Sequence, residues 1–142
     1  MKILMTDPSG ALAEAEVAAA LAAGGHEVQI VRDGIVALRV ARAWSPELVL
    51  ASVHLPRMDG LALTAALQAL AGRAAPAIAL LGPERDAHAR TRGRALGVTA
   101  YVPLPLEVAA LLQVVWRVER AALAPEPPRR RRGIPGARRR SA

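Results

Sequence analysis

The feature of this sequence that most constrains its fold is a strict alternation of short apolar runs with longer amphipathic stretches. The five short runs are mostly apolar on both faces, which is the pattern of strands buried between two layers of helices. They are Ile3–Thr6, Glu27–Val31, Leu48–Val53, Ala77–Leu81 and Thr99–Val102. The helical stretches lie at residues 9–23, 34–44, 61–71, 84–96 and 105–123. Five βα units in alternation predict an α/β fold with a doubly wound, parallel five-stranded sheet.

Residue types that are common at helix ends support these boundaries. Ser9 and Asp33 can accept hydrogen bonds from the first free amides of the first and second helices. Gly24-Gly25, Ser45-Pro46 and Gly72 follow the first three helices, at positions where a helix commonly stops. The residues at the helix ends therefore agree with the alternation of elements.

Composition narrows the class of protein. The chain has 142 residues and no cysteine, which excludes disulfides, thiolate metal sites and a cysteine nucleophile. No signal peptide and no apolar run of membrane-spanning length is visible in the sequence. We therefore expect a cytoplasmic protein with one folded domain and an aliphatic core.

The formal net charge of +7 comes from the end of the chain. Positive and negative side chains balance over residues 1–128, and the excess consists of seven arginines. They are Arg129, Arg130, Arg131, Arg132, Arg138, Arg139 and Arg140. We expect a domain at residues 1–123 and a disordered, Pro/Arg-rich basic tail at 124–142. Such a tail can contact nucleic acid, an anionic membrane surface or an acidic protein, or it can serve solubility alone.

The ends of the strands are the positions where chemistry is expected. In a doubly wound parallel sheet, ligands bind beyond the carboxyl ends of the strands, where the strand order reverses. The residues at those ends are Asp7, Pro8, Ser52, Leu81 and Leu104. The third strand ends on an uncharged hydroxyl, Ser52, which limits the reactions that this edge can perform.

Three stretches resemble the receiver domain of two-component response regulators. They are KILMTDP at 2–8, PELVLASVHLPRMDG at 46–60 and ALGVTAYVPLPL at 95–106. The resemblance covers about residues 1–123 and implies the flavodoxin-like (βα)5 fold with strand order 2-1-3-4-5. It also implies a phosphoryl switch, in which a carboxylate after the third strand accepts a phosphoryl group from a histidine kinase. Two acids after the first strand then help to hold Mg²⁺, and a Ser/Thr and a Lys contact the phosphate.

Most of that machinery is missing when the resemblance is applied residue by residue. Asp7 keeps one acid after the first strand, but Pro8 stands at the position of the second. Ser52 stands at the acceptor position, where its hydroxyl is un-ionised and has no base in the motif. Leu81 replaces the Ser/Thr, and Leu104 replaces the Lys. We therefore interpret the chain as a pseudo-receiver that keeps the fold, does not run the phosphorylation cycle and needs no metal or other cofactor.

Ser52 is expected to fill the vacated pocket by hydrogen bonding to the backbone or to Asp7. Leu81 and Leu104 are then expected to make the mouth of the pocket apolar. The alternative is phosphorylation of Ser52 by a Ser/Thr kinase, which is disfavoured because the residue lies at the bottom of a crevice and no substrate motif surrounds it.

Other residues near the pocket have ordinary structural interpretations. Asp59 is expected to cap the third helix, and the Leu104–Pro105 bond is expected to be cis, as is usual in the family. His26, His54 and His88 lie on different elements at unrelated spacings, so we expect no metal site from them.

A partner surface is expected on the fourth helix, fifth strand and fifth helix. In receivers this face binds partners, and here it comprises Arg90, Arg94, Tyr101, Trp116 and Arg117. Tyr101 stands at the position of the family's aromatic switch residue, and a fixed side-chain conformation is expected for it.

The fifth helix carries more apolar surface than one sheet contact requires. Val108, Leu111, Leu112 and Val115 are expected to face the sheet, and Val114, Trp116 and Val118 widen the apolar arc. This surplus favours a homodimer or another protein partner on that face.

Three functions remain open at this point. The first is an atypical, stand-alone receiver that acts in signal transduction by phosphorylation-independent protein–protein interaction. The second is a nucleic-acid-associated regulator, with the receiver as dimeriser and the arginine tail as a weak, non-specific contact. The third is a residual phospho-switch. We expect no enzyme activity, because the sequence offers no catalytic triad, phosphate-binding glycine loop or paired carboxylates.

Overall fold

Five strands and five helices alternate in the computed structural model, which describes residues 1–8, 12–70 and 75–123. They are β1 (Lys2–Thr6), α1 (Leu12–Ala23), β2 (Glu27–Val31), α2 (Gly34–Trp44), β3 (Leu48–Ser52), α3 (Gly60–Leu70), β4 (Ala77–Pro83), α4 (Ala87–Ala95), β5 (Ala100–Leu104) and α5 (Val108–Leu123). All strand pairs are parallel, and the order is β2-β1-β3-β4-β5. The predicted flavodoxin-like fold and its strand order are therefore confirmed.

Both faces of the sheet are covered by helices. Helices α1 and α5 pack on one face, and α2, α3 and α4 pack on the other. Along β1, Ile3 and Met5 pack with α1 and α5, whereas Leu4 packs with the opposite layer. This is the two-residue alternation of a strand. The central strand β3 is buried along its whole length, which explains why its sequence is apolar without alternation.

Aspartate side chains begin three of the described helices. Asp33 and Asp59 each accept a hydrogen bond at 2.8 Å from the amide three residues later, as the sequence predicted. Asp86 does the same for α4, at 3.0 Å. This third cap was not predicted, and it starts α4 at Ala87 where the sequence pattern suggested residue 84.

The helix ends also follow the predicted residue types. Helix α1 stops directly before Gly24-Gly25, and Ser45 ends α2 in the left-handed region with a φ of 54°. Ser9 and Gly72, which were expected to begin α1 and end α3, lie outside the described residues. Within the described ranges, no helix is both long enough and apolar enough to cross a lipid bilayer.

Three elements near the carboxyl edge differ from the predicted bounds. Strands β4 and β5 continue to Pro83 and Leu104, two residues further than expected, because these two residues extend the parallel register. Helix α5 begins at Val108, three residues later than expected. The Leu104–Pro105 bond between β5 and α5 is cis, as predicted.

The apolar face of α5 also needs a correction. The sequence pattern assigned Leu112 to the sheet and Val114 to the outer arc, but Val114 is buried and Leu112 is 41% exposed. At 100° per residue, Val114 and Val115 lie on either side of the fully buried Leu111, whereas Leu112 falls about a quarter turn away. The buried arc is therefore centred on Leu111.

Candidate functional site

The parallel register brings the predicted pocket residues to one edge of the sheet. Asp7 follows β1 directly, and its amide donates to the carbonyl of Val31 at the end of β2. Ser52 pairs with Leu81, and Leu104 pairs with the last residue of β4. The carboxyl ends of the strands therefore form the predicted edge.

Burial separates the five pocket positions into two groups. Asp7 and Ser52 are 8% and 6% exposed, and Leu81 is 1% exposed. Pro8 is exposed, and Leu104 is 40% exposed. Leu81 was expected to line the mouth of the pocket, but it packs into the core layer under α1 and α5. Among the five pocket positions, Pro8 and Leu104 are the two exposed apolar residues.

The backbone of Ser52 is held by a side chain that the sequence analysis did not single out. Thr6 is fully buried, and its hydroxyl donates to the carbonyl of Leu50 at 3.1 Å. The same hydroxyl accepts the amide proton of Ser52 at 2.8 Å. Paired positions of β1 and β3 end one residue earlier, at Met5 and Leu50. The Thr6 hydroxyl therefore joins the two strands where their ladder stops. The available signal was a single hydroxyl in an apolar strand, directly before Asp7.

The loop after β3 closes tightly over Ser52. The amide of Gly60 donates to the carbonyl of Val53 at 3.0 Å. A Cβ at position 60 would collide with the Ser52 carbonyl oxygen, so only glycine allows this close approach. In the first turn of α3, the buried Thr64 hydroxyl donates to the Gly60 carbonyl at 2.7 Å. The start of α3 is therefore packed against the end of β3.

The donor set at this edge is a poor fit for Mg²⁺. The ion favours octahedral coordination by hard oxygen ligands, and the resemblance to receivers implies three carboxylates at these strand ends to supply them. Asp7 is the one carboxylate among the five pocket positions. Within the described part of the chain, no three His, Cys, Asp or Glu side chains lie close enough together to hold a metal ion. A side-chain hydrogen bond from Ser52 to Asp7 or to the backbone remains a prediction.

Tyr101 is held in place from two sides. Its hydroxyl donates to the carbonyl of Pro83 at 2.7 Å, and the Arg90 guanidinium lies over its ring at 4.6 Å from the centroid. A Cβ on Gly82 would collide with the Tyr101 hydroxyl and lie 2.8 Å from Cγ2 of Val53, so glycine leaves the space that the phenol occupies. These contacts are consistent with a single side-chain conformation.

The expected partner residues fall into two places. Arg90, Arg94 and Tyr101 line a groove between α4 and β5, which we call the α4–β5 groove. The groove is lined by Arg90, Arg94, Val98, Thr99, Ala100 and Tyr101. Trp116 is 56% exposed and does not line this groove; the Arg120 guanidinium stacks on its ring at 4.5 Å. Arg117 is exposed on α5, one residue from Trp116.

The side of α5 that carries Trp116 faces towards α1. Oε1 of Glu119, one turn after Trp116, lies 2.9 Å from Nε2 of His26, and His26 follows α1. Residues three apart in a helix share a side, so Trp116 lies on the α1 side of α5. The sequence pattern could not separate Trp116 from Tyr101, because both belong to elements of one expected face. His54 and His88 are exposed.

Comparisons with known proteins agree on the fold. No protein-family model matches the chain, and no curated protein is similar to it. The chemotaxis response regulator CheY4 of Vibrio cholerae is 26% identical, with a TM-score of 0.73 over 82% of this chain and 97% of that chain. A signal receiver domain of a histidine kinase from Syntrophus aciditrophicus is 26% identical, with a TM-score of 0.76 over 88% of this chain and 94% of that one.

A third solved structure has a metal in its cleft. The receiver domain of the sensor histidine kinase PA1611 from Pseudomonas aeruginosa is 26% identical, with a TM-score of 0.70. The similarity covers 82% of this chain and 94% of that chain. That structure holds a magnesium ion coordinated in its active-site cleft. The similar structures are thus receiver domains from regulators and from kinases.

Removing the Thr6 hydroxyl should cost stability. We expect Thr6→Val to lower the free energy of unfolding by about 1–3 kcal/mol, because it leaves the buried Ser52 amide without an acceptor. Urea denaturation followed by circular dichroism measures the difference. Thr64→Val is the matched control, since Thr64 is equally buried but its hydroxyl only adds a donor to a helix carbonyl. Equal losses in the two variants would contradict the role assigned to Thr6.

The phenol of Tyr101 should lose its proton at a higher pH than an ordinary tyrosine. Burial raises the pKa of Tyr101 above its ordinary value of 10.0, the Asp86 charge adds to the rise, and Arg90 opposes it. Because the folded chain keeps the phenol proton longer than the unfolded chain, this contribution to stability is complete below pH 10 and is lost as the pH rises through the folded pKa.

Tyrosinate absorbance tests this directly, because the sequence contains one tyrosine. The native chain should titrate at a higher pH than the chain in denaturant. Arg90→Gln should raise the pKa of Tyr101 further, and Asp86→Asn should lower it. If the pKa of Tyr101 in the native chain is at or below its pKa in the denatured chain, the described burial of the Tyr101 ring is wrong.

Proposed function

We propose that this chain, which has the receiver fold of two-component response regulators, signals by binding a protein partner without accepting a phosphoryl group. The observation that carries the proposal is the chemistry of the pocket. Its buried residues offer one carboxylate and one un-ionised hydroxyl where a phosphorylation site needs a metal and an ionised acceptor. The fold that surrounds this pocket is intact.

The position of Ser52 supports the same proposal. A serine hydroxyl becomes a competent nucleophile when an adjacent base takes its proton. Ser52 is buried, and the loop that follows it is packed against its carbonyl through Gly60. Pro8 and Leu104, at the mouth, have side chains without an acid, a base or a cation. We therefore assign Ser52 a structural role at the end of β3.

The anchored Tyr101 supports a receiver that rests in one state. The switch expected from the family needs an aromatic ring that changes position. Here the hydroxyl of Tyr101 donates a hydrogen bond to the carbonyl of Pro83, and Arg90 covers its ring. Leu81, at the position of the phosphate-sensing Ser/Thr, is part of the core. A constitutive conformation gives a partner the same surface at all times.

The surface that we propose for the partner is the face of α4, β5 and α5. It carries Arg90, Arg94 and Tyr101 in the α4–β5 groove, together with the exposed Arg117 on α5, whereas Trp116 lies on the α1 side of that helix. A cytoplasmic signalling protein or a second copy of this chain would bind there. No catalytic step is part of the proposal.

A second candidate function rests on the seven arginines of residues 129–142. These residues lie outside the described part of the chain. If they bind nucleic acid, duplex DNA should bind the full chain strongly at low salt and weakly at high salt, through counterion release. Deleting residues 129–142 should abolish this binding, and binding that survives the deletion would eliminate the candidate.

Intact-mass measurement after incubation with acetyl phosphate and Mg²⁺ tests the proposed function. We expect the wild-type chain to keep its mass, because Ser52 supplies no ionised oxygen. The reference is Pro8→Asp/Ser52→Asp, which returns two carboxylates to the strand ends and should gain one phosphoryl group. Both changes lie at strand ends outside the core clusters, and circular dichroism checks the fold. A phosphoryl group on wild-type Ser52 would overturn the proposal in favour of a residual phospho-switch.

A further inference from the structure

We propose that the α4–β5 groove binds carboxylate side chains of an acidic partner segment, with Arg90 and Arg94 as the two cationic contacts. This inference rests on the proposed function, because it names the chemistry of the partner at the same face. It needs no phosphoryl group and no contribution from the arginine tail.

Arg90 is fixed before any ligand binds. Its Nε donates to the carbonyl of Glu84 at 2.9 Å, and its guanidinium carbon lies over the Tyr101 ring, whose hydroxyl is itself hydrogen-bonded to the carbonyl of Pro83. A guanidinium has five N–H donors, so the terminal nitrogens keep their donors for a ligand. A cation that is already held in place loses little conformational entropy when it binds an anion.

Arg94 adds a second positive charge one helical turn further along α4. Residues four apart share one side of a helix, with about 6 Å between their Cβ atoms, and two like charges at that spacing repel each other. Helix α4 contains three arginines and no acidic residue. In residues 1–8, 12–70 and 75–123, the ion pairs found are His26–Glu119 and Arg57–Asp33, so α4 takes part in neither. An anion between Arg90 and Arg94 would relieve this repulsion.

The lining of the groove favours a carboxylate side chain over a nucleic acid. The described groove encloses about 210 Å³, and its arginines are flanked by Val98 and Ala100. Single-stranded nucleic acid is bound by a longer basic track with exposed aromatic faces for base stacking. The one aromatic ring of this groove, Tyr101, has a face already covered by Arg90. A short acidic segment, with one or two Asp or Glu side chains in the groove, therefore fits best.

The single tyrosine makes the groove directly observable. The full-length chain is labelled with fluorotyrosine, and the fluorine resonance of Tyr101 is followed while an acetylated hexaglutamate peptide is added at physiological salt. We expect a saturable shift. Peptide that binds only the tail leaves this resonance unchanged, because residues 124–142 contain no tyrosine. Hexaglutamine, which has the same length and no charge, should produce no shift.

Two single substitutions on α4 separate the groove from general charge attraction. Arg94→Gln removes a cation from the groove. It should lower the affinity for the hexaglutamate peptide by about fivefold or more, as expected when a charge-assisted hydrogen bond is lost. Arg92→Gln removes the same charge from a position about half a turn away, outside the groove lining. The Arg92→Gln variant should therefore bind nearly as well as the wild type.

Three outcomes would overturn the proposal. They are a Tyr101 resonance that does not move at saturating peptide, equal weakening by Arg92→Gln and Arg94→Gln, and a larger shift with inorganic phosphate or duplex DNA than with hexaglutamate. None of these measurements uses a phosphodonor or Mg²⁺. The two experiments are therefore independent. If hexaglutamate does not bind the groove, the mass measurement on Ser52 still tests the proposed function. If Ser52 is phosphorylated, the peptide titration still tests the groove.

Discussion

The rest of the structure depends on the burial of the central strands β1, β3 and β4 between two layers of helices. Two helical layers cover the strands, so polar chemistry is confined to their carboxyl ends. At that edge Asp7 is the carboxylate of the pocket, and Thr6 and Ser52 bring neutral hydroxyls. A phosphoryl group carries negative charge that a metal ion must offset, and a metal ion in turn needs several hard oxygens. The fold brings these strand ends together, but their side chains do not supply the charge that a magnesium and phosphoryl site needs.

Two hydroxyl side chains, those of Thr6 and Tyr101, are hydrogen-bonded to the backbone of neighbouring strands. The Thr6 hydroxyl links the ends of β1 and β3 through Leu50 and the Ser52 amide. In the α4–β5 groove, the Tyr101 hydroxyl is hydrogen-bonded to the carbonyl of Pro83, and Arg90 covers its ring. For the proposed partner, these contacts mean that the Ser52 backbone and the Tyr101 ring are already ordered when the chain folds.

The element order and the starts of α2 and α3 could be predicted from the sequence, because apolar periodicity and Asp caps act over a few residues. Asp33 and Asp59 are the clearest cases. The starts of α4 and α5 were each predicted three residues too early, and the other errors concern contacts between distant segments. Thr6 reads as an ordinary strand residue until Ser52 is placed beside it, and Leu81 reads as a mouth residue until its neighbours in the core are known. Trp116 was grouped with Tyr101 because the apolar pattern of α5 does not show which side of this helix lies next to α1.

The central claim is that the pocket cannot gather a divalent cation and a phosphoryl group beside Ser52. A crystal of the full chain soaked with Mg²⁺ and beryllofluoride, which mimics a bound phosphoryl group, tests this most directly. The account predicts electron density for neither species between Asp7 and Ser52. Ordered magnesium together with beryllofluoride attached to the Ser52 oxygen would contradict it.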